Sequence, residues 1–175
     1  EGDLIVVIAN EGDNSITLLN YRNSILNTLA PEDIINSGAI PNASGLIDMS
    51  LALDCDNWFG FSTSFANGNV HRFDFGSSLF SSPTPSLVSG ISLISSPSQI
   101  EFVHDGDTWK GFLSQPNNLV KLNFTNGLTN MPTETDLATL GLINITGLKF
   151  PTDSTGFALD YLSEVLSRLD FDNDC

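Results

Sequence analysis

A hairpin-like stretch recurs four times along this chain and limits what it can fold into. Three copies are anchored on Gly60-Phe61, Gly111-Phe112 and Gly156-Phe157, and the first has Val6-Val7 in their place. The anchors stand at residues 6, 60, 111 and 156, so successive copies lie 54, 51 and 45 residues apart. The downstream half repeats as well: Ile16-Thr17-Leu18-Leu19-Asn20-Tyr21, Val70-His71-Arg72-Phe73-Asp74-Phe75, Leu119-Val120-Lys121-Leu122-Asn123-Phe124 and Leu166-Ser167-Arg168-Leu169-Asp170-Phe171. Anchor and Asp/Asn are 14 residues apart in copies one, two and four and 12 apart in copy three. A shorter turn at Gln115-Pro116-Asn117-Asn118 accounts for the difference. Self-similarity at such a period marks a unit that cannot bury its apolar face alone and must stack on its neighbours.

Each unit reads as strands. The anchor segment is strand B and the Leu-Asp-Phe-like segment is strand C. Turn formers lie between them, as in Asn10-Glu11-Gly12-Asp13-Asn14 and Ala66-Asn67-Gly68-Asn69, because Asn and Gly accept the positive φ of tight hairpins. Proline-marked stretches then lead to a weak strand D near residues 33–35, 86–88 and 136–138. Strand A precedes the next B and alternates in Ile47, Met49, Leu51, Leu53 and in Ile100, Phe102, His104, with Leu148 and Phe150 in a third copy. Period two puts one face against a neighbour. The order is BCD, ABCD, ABCD, ABC. The expected fold is therefore all-β: one repeat domain, 1–175, of β-propeller-type, four-stranded antiparallel blades, about three and a half of them, at 1–45, 46–98, 99–146 and 147–175. Closed propellers have about four to eight blades, so the chain reads as part of a larger propeller. The rest of the polypeptide or a second chain would complete the ring; closure of four units as a small ring is the alternative. Trp58 and Trp109, with Phe61, Phe112 and Phe157, hold repeated positions and read as packing residues.

Charge narrows the partners. The net charge is −15, with 21 Asp and Glu against six Lys and Arg. Nucleic-acid binding needs a basic stripe, which this chain lacks, and an anionic membrane surface would repel it. No apolar stretch approaches the ~18–20 residues of a spanning helix.

The search for chemistry returns little. No Gly-x-Ser-x-Gly elbow, Walker loop or dinucleotide fingerprint occurs. His71 and His104 align with Val120 and Leu53, which points to packing. Asp54/Asp56 and Asp105/Asp107 are spaced i, i+2 in turns. They read as solvated turn residues that bond their own backbone, with calcium as the cofactor reading and no other cofactor expected. Zinc lacks a ligand set, and Cys55 and Cys175 could be bridged only if their Cβ atoms meet. The B–C turns would present Asn10, Asn14, Asn67, Asn69, Asn117 and Asn118 to a glycan or peptide ligand. A propeller-type hydrolase or lactonase with a central metal is the enzymatic alternative, for which the inner strands offer Asp48 and Glu101. The sequons at Asn42, Asn123 and Asn144 read as coincidental.

Residues 100–112, Ile-Glu-Phe-Val-His-Asp-Gly-Asp-Thr-Trp-Lys-Gly-Phe, together with Arg168-Leu169-Asp170-Phe171 and Gly76-Ser77-Ser78-Leu79, resemble repeats of large Bacteroidetes cell-surface proteins, including gliding-motility adhesin-like proteins. The resemblance implies a propeller-like region in a protein exported to the cell surface as a type IX secretion substrate, with secretion-complex or surface-protein partners. The expected function is a non-catalytic adhesion, recognition or spacer module rather than an enzyme.

Overall fold

The computed structural model describes residues 2–92, 95–105, 108–116, 118–137, 144–151 and 155–170. Asp107, Asn117 and Cys175 therefore lie outside the described residues. The fold is all-β, with four antiparallel sheets in chain order. Sheet I holds β1 (Ile5–Asn10), β2 (Ser15–Asn20) and β3 (Ile34–Asn36). Sheet II holds β4 (Leu46–Asp54), β5 (Asn57–Ser64), β6 (Asn69–Gly76) and β7 (Thr84–Leu87). Sheet III holds β8 (Gln99–Asp105), β9 (Thr108–Gln115), β10 (Asn118–Thr125) and β11 (Thr133–Asp136). Sheet IV holds β12 (Ile145–Lys149), β13 (Thr155–Asp160) and β14 (Val165–Asp170). Strands that follow one another in sequence are neighbours in each sheet.

The hairpin loops explain the spacing of the repeat. Between β1 and β2, β5 and β6, and β13 and β14 the last pairs are Asn10 with Ser15, Ser64 with Asn69 and Asp160 with Val165. Each leaves a four-residue loop ending in a left-handed residue: Asn14, Gly68 and Glu164. Between β9 and β10 the pair is Gln115 with Asn118, so copy three is shorter by two loop residues. The fourth strands of sheets II and III sit a little earlier than expected, at Thr84–Leu87 and Thr133–Asp136. Register on strand C decides this, with Asp74 facing Thr84 and Asn123 facing Thr133. Pro85 lies in β7, an edge strand, where a missing N–H breaks no second ladder.

The sheets stack face to face. Sheets I and II share Ile16, Leu18, Leu46, Phe73 and Phe75. Sheets II and III share Phe59, Phe61, Val70, Phe102, Leu122 and Phe124. Sheets III and IV share Val103, Phe112, Leu119, Phe150 and Leu169. The first strands of neighbouring sheets also touch, β1 with β4, β4 with β8 and β8 with β12. Burying one Phe is worth roughly 1.5–3 kcal/mol, so these rings dominate the contacts.

The Gly-Phe pair makes the stacking possible. Phe61 of sheet II stacks on Phe102 of sheet III with ring centroids 4.2 Å apart. Phe102 in turn lies over its own sheet's Gly111, where a Cβ would sit 3.0 Å from the ring. The pattern recurs one sheet on: Phe150 stacks on Phe112 at 4.1 Å and covers Gly156, where a Cβ would sit 2.4 Å from the ring. Glycine is the slot, and phenylalanine is the surface the next sheet's ring lies on. Gly60 is covered likewise by Met49 and Phe75. In sheet I, Val6 of β1 stands at the corresponding position.

Candidate functional site

The turns between first and second strands gather at one end of the sheets. In sheet II this turn is Asp54-Cys55-Asp56-Asn57, with Asp54 paired to Asn57. Cys55 and Asp56 have φ of 49° and 65°, the two positive values a two-residue type I′ hairpin needs. The charge of Asp54 raises the pKa of the exposed Cys55 thiol, with help from a hydrogen bond to Asp54. That holds the thiol in its protonated, weakly nucleophilic form.

A cleft of about 680 Å³ opens beside this turn, between sheets II and III. Its walls come from three separate regions: Leu53, Asp54, Cys55 and Asn57 with Phe59, the pair His104 and Trp109, and Asn126, Gly127 and Thr129. His104 is exposed, and its ring lies 4.5 Å from that of Trp109 at 39°. The Trp109 indole Nε1 is buried and has no hydrogen-bond partner among the described residues. Asp54 reaches across the cleft floor, where its Oδ2 accepts from the Leu128 N–H at 2.9 Å. Among the described residues no Lys or Arg lines the cleft. A second cleft, of about 470 Å³, sits in register between sheets I and II, lined by Leu4, Ile5, Trp58 and residues 77–80. The two repeated tryptophans thus do two jobs: each packs against the preceding sheet and each walls an inter-sheet cleft.

Among the described residues no three His, Cys, Asp or Glu side chains are placed to hold one metal ion. Asp54 holds the Leu128 amide, and Asp105 is ion-paired with Lys110. The inner-strand acids are also engaged. Asp48 accepts from the Ile100 N–H at 2.7 Å, and Glu101 is ion-paired with Lys149. Both tie one sheet to the next. Burial raises the Asp48 pKa, against the opposing hydrogen bonds from Ile100 and Met49.

At the opposite end, the asparagines of the hairpin loops hold the fold together. Asn10 Nδ2 donates to Ser15 Oγ and Thr17 Oγ1, both at 2.9 Å. Asn14 Oδ1 accepts from the Leu46 N–H at 3.2 Å. Asn67 and Asn69 both donate to the Asn42 carbonyl, at 2.7 and 3.0 Å. Asn118 Oδ1 accepts from the Leu119 N–H at 2.7 Å. Asn10, Asn14, Asn67 and Asn69 thus tie their loops to other segments, whereas Asn118 bonds the neighbouring N–H of its own strand. His71, in the same region, is fully buried beside a cavity of about 200 Å³ lined by Pro41, Asn42 and Pro85. Its Nε2 has no partner among the described residues, and burial lowers its pKa.

Of the repeated packing residues, Phe61 and Phe112 are fully buried and Phe157 is exposed on sheet IV. Trp58 and Trp109 stand at corresponding register positions, opposite Leu53 and His104, but the sequence does not bring Asn126 and Thr129 to Trp109. The only signal was that Asn126-Gly127 follows strand C where Ser77-Ser78 does in the preceding unit. No protein-family profile matches this chain, and no curated protein sequence matches it.

Proposed function

We propose that the four sheets are blades of a β-propeller-type array that serves as a non-catalytic recognition or spacer module. The observation that carries this reading is the repeated inter-sheet cleft: an aromatic wall in register at Trp58 and Trp109, rimmed in the larger copy by Asn57, Asn126, Thr129 and Asp54. An aromatic wall with amide and hydroxyl groups suits a neutral, hydroxyl-rich ligand such as a glycan. The acidic lining disfavours anions. The stacking of one sheet's Phe on the next sheet's ring, together with the sequential contact of first strands, supports the propeller arrangement. The likeness of the repeats to Bacteroidetes surface proteins supports an exported, cell-surface setting, with type IX secretion as the route. Among the described residues no helix is long and apolar enough to cross a membrane.

The hydrolase reading is weaker, because Asp48 and Glu101, its inner-strand acids, are held by Ile100 and Lys149 of adjacent strands. A glycan array read with wild-type protein and with the double variant His104→Ala/Asn126→Ala tests the proposal. Binding to a neutral glycan, reduced at least about tenfold in the variant with an unchanged melting temperature, is the expected result, a loss of about 1.4 kcal/mol. Metal-dependent turnover of a lactone or ester, abolished by Glu101→Ala, would overturn it.

A further inference from the structure

In an asparagine followed by glycine or serine, the backbone nitrogen of the second residue can reach the side-chain amide of the first with little bulk in its way. The chain has five such pairs: Asn14-Ser15, Asn23-Ser24, Asn36-Ser37, Asn67-Gly68 and Asn126-Gly127. In four of them the fold occupies the nitrogen that would attack. The Ser15 N–H donates to Asp13 Oδ1 at 3.1 Å. The N–H groups of Ser24, Ser37 and Gly68 donate to the carbonyls of Tyr21, Ile16 and Ser64, at 3.3, 2.9 and 2.9 Å. Among the described residues the Gly127 N–H has no such partner.

The side chains differ in the same sense. Asn67, in the other Asn-Gly pair, is held at both ends. Its Nδ2 donates to the Asn42 carbonyl at 2.7 Å, and its Oδ1 accepts from the Asn69 N–H at 3.2 Å. Asn126 is exposed at the lip of the cleft between sheets II and III, and its amide group makes no hydrogen bond among the described residues. Asn126 and Gly127 have φ of 60° and 103°, a turn backbone that selects these two residue types.

We propose that Asn126 is a modification site, at which the chain deamidates itself and loosens the junction of sheets II and III. The Gly127 nitrogen attacks the side-chain carbonyl carbon of Asn126. A C–N bond forms, the side-chain nitrogen leaves as ammonia with the Gly127 proton, and a succinimide ring remains. Water then opens the ring at either carbonyl, giving aspartate or isoaspartate and restoring the backbone N–H. Leu128, two residues on, is fully buried between the two sheets. Its N–H donates to Asp54 Oδ2 and its carbonyl accepts from Arg72 Nη1, both at 2.9 Å. A Cβ on Gly127 would sit 2.9 Å from Asp54 Oδ2, so the loop already lies against that carboxylate. Isoaspartate adds a methylene carbon to the main chain just before Gly127, and either product adds a negative charge near Asp54. Both changes strain the contacts that Leu128 makes with sheet II. The proposal stands whether or not the cleft takes a glycan.

Ageing the folded protein at mildly alkaline pH, then mapping peptides so that aspartate and isoaspartate are separated, tests it. Three hydrogen bonds must break before the Asn67 ring can close. Loss of the Asn126 amide should therefore be at least about tenfold faster than loss of the Asn67 amide. In urea the two sites should react at similar rates, which places the difference in the fold. Asn126→Gln, whose longer side chain closes a ring poorly, should abolish the fast product. Aged wild type should melt below fresh wild type, whereas ageing should leave the melting temperature of Asn126→Gln unchanged. A folded protein that keeps its Asn126 amide as long as its Asn67 amide would overturn the proposal. So would isoaspartate at position 126 with an unchanged melting temperature, since the loop would then not hold the junction. If Asn126→Gln does not fold, the comparison of the two sites within the wild type decides alone.

Discussion

His71 shows how a single repeat position can be filled at a cost. The same place holds Val120 in sheet III, where an apolar side chain is buried without penalty. In sheet II the imidazole is buried with Nε2 unpartnered, and desolvation holds its pKa below the ordinary 6.5. The unfolded chain then binds the proton more readily than the folded one. Stability should be full above pH 6.5 and fall as the pH drops through that value towards the folded pKa. His71→Val should remove that acid slope, and thermal melts between neutral and mildly acidic pH would show a difference between the two proteins that is constant at neutral pH and shifts in favour of the variant in acid. Asp48 has the opposite sign. Burial raises its pKa, so the folded state binds the proton more readily and stability falls as the pH rises through the folded value. Asp48→Asn keeps an acceptor for the Ile100 N–H and removes the buried charge. Its melting temperature should exceed that of the wild type at neutral pH, and the gap should close in acid.

At the scale of the element, the Gly-Phe pair carries the argument. Gly111→Ala places a Cβ 3.0 Å from the Phe102 ring, which is itself stacked on Phe61 and cannot withdraw freely. Overpacking of this kind costs about 1–3 kcal/mol, and urea unfolding should report it. Gly12→Ala, with nothing within 4 Å of the new methyl group, should stay within about 0.5 kcal/mol of the wild type. Equal losses at the two sites would refute the slot. Strand order and hairpin lengths were legible because alternation and turn residues are local signals. Val6 was legible as a departure from the repeat. The fourth strands were displaced by a few residues because their position is set by pairing with β6 and β10 and hardly at all by their own composition. The asparagines of the loops looked free in sequence for a similar reason: the Asn42 carbonyl that takes two of them comes from 25 and 27 residues away.

At the scale of the molecule, long-range ties join the sheets: Asp48 to Ile100, Asp54 and Arg72 to Leu128, Glu101 to Lys149, and Ser98 to the Ile145 carbonyl. Nothing in the sequence pairs these residues, which is why the cleft built on Asp54, His104, Trp109 and Asn126 could not be assembled from it. The same ties decide how the acidic turns should answer to cations. A net charge of −15 repels itself, and salt at 0.1 M screens that repulsion beyond about 10 Å. Sodium chloride should therefore raise the melting temperature. Calcium chloride at matched ionic strength distinguishes screening from a bound ion. Asp54 already holds an amide of the next sheet and Asp105 an ammonium group, and no third acid joins either among the described residues. The two salts should then give coinciding curves. A further rise that saturates with calcium and is lost in Asp56→Asn would show instead that the turn at residues 54–57 is a calcium site, and that the ties of Asp54 yield to the ion.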